Sequence, residues 1–212
     1  MTVVSITDIT KPRQRVLLDT EESFVLYKSE IRTLKIREGS ELSEDAYNKI
    51  VKGILPKRCK MRAMNLLKER SYTTYNLKRK LLDGGYPESI VNDTIDYVVS
   101  FNYVDDLRYA KMYIEEKESR LSRNEITRKL LSKGIGTGLT DEAYAQLGIE
   151  REEYNETGTA AIEEDLIKKT LVKKGYDPSM DYQDKQKILA YFYRRGFDID
   201  KVRHIMDGLG NV

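Results

Sequence analysis

The chain has 212 residues, 40% apolar and 34% charged, with no Trp and one cysteine, Cys59, which excludes an internal disulfide and a cysteine-built zinc site. The N-terminal stretch has no basic segment leading into an apolar one, and no apolar run approaches the roughly 20 residues of a membrane span, so a soluble cytoplasmic protein without membrane contact is expected; it is separately expected to be a monomer. The net charge of +2 conceals a strong polarity: Lys57 to Lys80 holds nine Lys or Arg against one acid, and Asp141 to Asp165 holds nine acids against one Arg.

Val3 to Ile9, Arg15 to Leu18 and Ser23 to Tyr27 are short and rich in apolar and β-branched residues. Lys11-Pro12 and Asp19-Thr-Glu-Glu22 separate them, a pattern that predicts a small antiparallel sheet or hairpin. Ser29 is placed to cap a short helix ended by Gly39. Ser43 is placed to cap another that stops before Pro56.

From Lys57 onward only helices are expected. Met61, Met64 and Leu67 mark the apolar side of the first, and the second runs from Thr73 to Gly84 or Gly85. Pro87 introduces a third, with Val91, Ile95, Val98 and Val99 as its stripe. Asp105 is a candidate N-cap for the next helix, because its carboxylate can accept from a free N–H in the first turn. A short helix is expected over about 141–147, then a polar loop from Gly148 to Gly158. A long helix follows to Lys174, with Glu164–Lys168 and Asp165–Lys169 in the favourable i,i+4 order.

One block occurs three times. Thr73, Ser122 and Asp184 each precede by four residues an apolar residue (Leu77, Ile126, Ile188), which precedes by four another (Leu81, Leu130, Phe192). Each block then reaches a glycine: Gly85, Gly134 and Gly196. Tyr72 with Leu77, and Leu121 with Ile126, have the spacing of hydrophobic staples, whereas Gln183 before Asp184 does not. A copied helical unit points to an extended binding surface rather than a catalytic centre. The boundaries read as 1–56 for a β-rich segment with short helices, 57–103, 104–156 with the acidic loop, and 157–212 for three three-helix repeats.

The candidate partner- and nucleic-acid-binding residues are the cations. Lys57, Arg58, Lys60 and Arg62 precede or begin one helix, and Lys78, Arg79 and Lys80 lie on the next. Arg128 and Lys129 hold the equivalent places of Arg79 and Lys80 in the second repeat, and Arg194 and Arg195 lie near them in the third. Such clusters suit phosphates through attraction and counterion release. Catalysis finds little support: His204 is the single histidine, with no nucleophile and acid to complete a triad. Asp105-Asp106 lacks a third metal ligand, and Gly134-Ile-Gly-Thr-Gly138 follows a helix rather than a strand. Cys59 lies among bases that lower a thiol pKa, yet nothing pairs with it. No catalytic residue, metal or cofactor is expected.

The segment Tyr103-Val-Asp105-Asp106-x-Arg108-Tyr109-Ala resembles the most recognisable stretch of the RecX family of recombination regulators. Leu67-x-x-Arg70-x-Tyr72-Thr73-x-x-x-Leu77-x-x-Lys80-Leu81 is similar to that family's first-unit pattern. Ile126-x-x-Lys129-Leu130-x-x-Lys133-Gly134-Ile135 is similar to its second. Asn76, where the family usually has an acid, and the acidic insert between the second and third units depart from it. The resemblance implies a mainly α fold of tandem three-helix repeats in an elongated, curved arrangement, with a small N-terminal β segment. It implies a non-catalytic regulator whose partner is the RecA recombinase filament on single-stranded DNA, lodged in the filament groove and damping ATPase activity, strand exchange and the DNA-damage response. The residues themselves leave a stand-alone helical DNA- or RNA-binding protein as the alternative, and a nuclease as a third reading.

Overall fold

The computed structural model describes residues 1–149 and 160–209, so most of the expected Gly148–Gly158 loop lies outside the described residues. The chain divides into two compact units, Met1–Asp105 and Asp106–Val212.

The first unit opens with an antiparallel meander, β1 (Val3–Thr10), β2 (Arg13–Leu18) and β3 (Ser23–Tyr27), in the order β1-β2-β3. Val16 stands opposite Ile6 on one side and Phe24 on the other, and Val16, Leu18, Phe24 and Leu26 are buried. α1 (Lys28–Thr33) starts at Tyr27, not through Ser29: the Tyr27 N–H donates to Glu30 Oε2 at 2.7 Å. The carboxylate three residues on satisfies the free N–H, and Ser29 falls inside the first turn. The chain turns away at Lys35 (φ 56°), before Gly39.

Ser43 does cap α2 (Glu44–Asn48), its Oγ accepting from the Ala46 N–H at 3.3 Å. The expected stop at Pro56 does not occur. α2 passes through a π-helical turn (Lys49–Ile54) straight into α3 (Leu55–Glu69). Proline lacks an N–H and its ring collides with the carbonyl one turn back. The widened turn, in which the Leu55 N–H reaches the Ile50 carbonyl five residues earlier, relieves that collision without ending the helix.

α3, α4 (Thr74–Asp83) and α5 (Glu88–Ser100) complete the unit. Leu55, Cys59, Ala63 and Leu66 form the buried face of α3, so Met61 is exposed while Met64 and Leu67 flank the core. On α5 the stripe is Ile90, Val91, Thr94, Ile95 and Val98, and Val99 is exposed. Sheet and helices share one continuous core from Val3 to Val104. A three-helix unit of this size buries too little alone, and the sheet supplies the missing wall.

The second unit contains α6 (Asp106–Lys117), α7 (Arg123–Leu131), α8 (Thr137–Gln146), α9 (Ala160–Lys173), α10 (Tyr182–Arg194) and α11 (Ile199–Gly208). It has two cores. One gathers Ala110, Ile114, Ile126, Leu130 and Tyr144; the other Ile167, Leu171, Ile188, Phe192 and Val202. α8 begins four residues before its expected start because Gly136 takes the cap position. Thr73 and Ser122 cap α4 and α7 as expected, accepting from Asn76 and Glu125 N–H, each at 3.2 Å. The third cap is Asp181, not Asp184: Asp181 Oδ1 accepts from the Asp184 N–H at 2.8 Å, so α10 carries an extra turn at its start. Met180, before the true cap, packs against the core.

The two cores of this unit are joined by a polar contact between α7 and α10. The Ser122 hydroxyl, besides capping α7, donates to the Arg195 carbonyl at 2.7 Å, and Asn124 Nδ2 donates to the Gly196 carbonyl at 3.0 Å. The Arg195 guanidinium donates to the Arg120 carbonyl (3.2 Å) and the Tyr191 hydroxyl (3.1 Å), and its Nε stands 3.6 Å from Glu125 Oε2. That carboxylate oxygen is buried without a hydrogen bond, so the nearby guanidinium is what compensates its charge.

The repeated glycines all have positive φ: 83° at Gly85, 85° at Gly134 and 76° at Gly196. At Gly85 an added Cβ would lie 2.2 Å from Val25 Cγ2 on β3; at Gly196 it would lie 3.2 to 3.3 Å from Arg128, Asn124 and Ser122. Gly175 (φ 69°) has open space around it. In urea unfolding, Gly175→Ala is expected to cost about 1–2 kcal/mol from backbone strain alone. Gly85→Ala is expected to cost roughly 2–4 kcal/mol, since it adds a collision with the sheet. Equal losses would mean that the approach of Gly85 to Val25 carries no weight. A double-mutant cycle of Glu125→Gln and Arg195→Met should return a coupling of about 1 kcal/mol; additivity would remove Arg195 from the joint.

Candidate nucleic-acid interface

α3 and α4 place their cations by helical spacing. Arg58, Arg62 and Asn65 follow one another on the same side of α3, and with Lys80 of α4 they line an open groove of about 670 Å³. Arg13 of β2, Tyr27, Met61 and Tyr86 complete the walls, and Asp83 is the one acid among the lining residues. Arg58 is held in place: its Nη1 is 2.8 Å from Glu30 Oε2, and its guanidinium lies 4.3 Å from the centre of the Tyr27 ring. Arg13, Arg62 and Lys80 have no carboxylate within ion-pair distance among the described residues, so their charge faces the groove uncompensated.

A second basic concavity, about 390 Å³, lies in the other unit. Arg128 and Lys129 of α7, Arg194 at the end of α10 and Arg195 line it with Glu125 and Ser132. Arg195 is committed to the joint, and Lys129 stands 3.9 Å from Glu125. Arg128 and Arg194 are exposed and make no ion pair among the described residues.

The remaining expected cations are placed elsewhere. Lys78 pairs with Glu88 at 3.0 Å, Lys60 lies 4.3 Å over the Tyr97 ring, and Arg79 lies 5.7 Å from that of Tyr75. Lys57 is exposed on α3. Of the motif residues, Tyr103 is exposed beside Phe101, 6.1 Å between ring centres, and Asp106 opens α6 directly after Asp105. Arg108 is exposed on α6, and Tyr109 stacks on Tyr113 at 6.4 Å.

One expectation about a single residue resolves differently. Cys59 is buried, and desolvation raises its thiol pKa, the opposite of what the neighbouring bases alone suggest. Described acids of the 141–165 stretch are spent within their own unit: Asp141 meets Arg123 at 3.4 Å, Glu163 meets Lys201 at 3.4 Å, and Asp165 meets Lys169 at 2.7 Å. Glu164 and Lys168 stand 3.6 Å apart, as their spacing predicts. Tyr193 is exposed beside buried Phe192.

Sequence reasoning missed Arg13, Tyr27 and Tyr86. Arg13 lies 45 positions before Arg58 and outside every charge cluster, so only the pairing of β2 with β3 reveals that it joins the groove. Its register opposite Tyr27 was the signal available, once the strands were recognised.

Comparison with known proteins matches residues 59–97 to the model for the first three-helix domain of RecX and residues 162–206 to that for the third. The regulatory protein RecX of Caldanaerobacter subterraneus subsp. tengcongensis is 26% identical over 193 residues, 91% of each chain. That of Clostridioides difficile is 25% identical over 201 residues, 94% of this chain and 90% of the relative. Among solved structures, a crystal structure of regulatory protein RecX has a TM-score of 0.64 at 22% identity, covering 97% of this chain and 98% of the other. RecX from Lactobacillus salivarius has a TM-score of 0.59 at 19% identity, covering 74% of this chain and 97% of its own. These two likenesses establish the fold, mainly helical with a small N-terminal sheet. Among the described residues no helix is long and apolar enough to cross a membrane. Matched domain models at both ends of the helical region, and relatives aligned over nearly the whole length, make this chain similar to the regulatory proteins of the RecX family.

Proposed function

We propose that this protein binds the RecA filament on single-stranded DNA and inhibits its ATP hydrolysis and strand exchange, modulating recombination and the DNA-damage response without catalysis of its own. The similarity to RecX proteins suggests the partner. The observation that carries the reading is the placement of uncompensated cations: Arg62 and Lys80 in one concavity and Arg128 and Arg194 in another, each on helices whose other faces are spent on burial. A nucleoprotein filament offers repeated anionic groups, on both DNA and protein, to such a surface. The divisions expected at 57–103, 104–156 and 157–212 fit this role as three successive modules, and the protein acts as a cytoplasmic monomer.

The test is DNA-dependent ATP hydrolysis by purified RecA on single-stranded DNA, at two salt concentrations. The protein is expected to inhibit in a dose-dependent way, less so at the higher salt. Arg128→Glu with Arg194→Glu should raise the inhibitory concentration roughly tenfold, equivalent to about 1.4 kcal/mol. Lys169→Glu, on a residue already paired with Asp165, should change little beyond its local pair. Undiminished hydrolysis at saturating protein would overturn the proposal.

A further inference from the structure

The groove of the first unit has a chemistry more specific than that of a basic patch. Its open cations come from two architectures: Arg13 from the sheet, and Arg62 and Lys80 from α3 and α4. Flat or apolar bodies stand among them. Tyr27 is 41% exposed and Met61 63% exposed, and Tyr86 lines the same wall. One face of the Tyr27 ring is backed by the Arg58 guanidinium, which Glu30 holds at 2.8 Å, so ring and guanidinium form a braced π platform rather than a mobile side chain. Tyr27 is also fixed through its backbone, whose N–H is bound by Glu30 Oε2.

A ligand matching this surface carries anions along a flexible backbone and planar apolar groups between them. A peptide of acidic residues alone, such as polyglutamate, supplies the anions but not the planes. A nucleic-acid duplex supplies both but keeps its base faces stacked inside. A single strand presents phosphates to separated cations and lays unstacked bases on aromatic or guanidinium faces. The volume of about 670 Å³ also falls within the range of sites that enclose small-molecule-sized groups.

We infer that the groove between the sheet and helices α3 and α4 binds single-stranded DNA directly, with Arg13, Arg62 and Lys80 on phosphates and Tyr27 as a base-stacking platform. The inference deepens the filament reading, since single-stranded DNA is the polymer RecA coats, but its test needs no RecA. The full-length chain alone is titrated into labelled oligothymidylate of about ten nucleotides, within the range one small domain occupies, and anisotropy is read at several salt concentrations. Arg13→Gln and Lys80→Gln are each expected to weaken binding about fivefold or more and to lower the salt slope by about 0.7, the loss of one phosphate contact on a single strand. Tyr27→Leu, which keeps the backbone bond to Glu30, should weaken binding at least about fivefold with the slope unchanged. Circular dichroism identifies any variant that has lost its fold, and Arg62→Gln then serves in its place.

Equal affinity for a duplex of the same length, equal competition by polyglutamate, or unchanged binding in these variants would overturn the assignment. Inhibition of RecA by a chain that does not bind oligothymidylate would overturn it too, while leaving the filament reading standing. Oligothymidylate binding that the variants weaken, with no effect on RecA ATP hydrolysis, supports the groove and removes the filament reading instead.

Discussion

In each three-helix unit the second helix must stop and reverse at one residue, and the stop is a glycine with a left-handed backbone. At Gly134 and Gly196 the following residue, Ile135 or Phe197, sends its N–H back to the carbonyl of the last core residue, Leu130 or Phe192. Gly85 and Gly196 also do something that helix termination does not require. Each is where its unit touches the next layer of structure, Gly85 against Val25 of the sheet and Gly196 against Ser122, Asn124 and Arg128. The missing side chain is therefore used twice, once for its φ and once for its absence of volume. The first contact is apolar and continues a shared core, whereas the second is polar and joins two separate cores.

The charges sort by the same logic. Arg58, Lys78 and Arg195 carry the same formal charge as Arg62, Lys80 and Arg194, but the first three are engaged by Glu30, Glu88 and the Glu125–Tyr191 pair. They hold elements together, and their positive potential is largely consumed locally. A cation without a partner contributes little to stability and much to the external field. A basic run in the sequence thus separates, in the structure, into braces and contacts.

Legibility followed sequence range. The apolar pairs Leu77–Leu81, Ile126–Leu130 and Ile188–Phe192 were readable because helical spacing alone dictates that they share a face, and all are buried. Thr73 and Ser122 were readable as caps because a cap acts three residues away. Asp184 misled for the same reason: another acid stood one turn earlier, and spacing cannot choose between two good acceptors. Pro56 misled because a backbone widening, invisible in side-chain pattern, lets the helix run on. The groove was legible in part. Arg58, Arg62 and Lys80 were found from local charge, while Arg13 and Tyr86 required knowing which strand faces which helix. Tyr27 read as a strand residue until its ring was seen under Arg58.

The burial of Cys59 bears on how the molecule can be handled. Its sulfur is packed among core side chains beside Thr94, where burial raises its thiol pKa, and the chain carries no other cysteine. The described surface therefore presents no native thiol, and a cysteine placed by design at any exposed position would be the sole reactive handle for a fluorophore or spin label, without first removing the natural one.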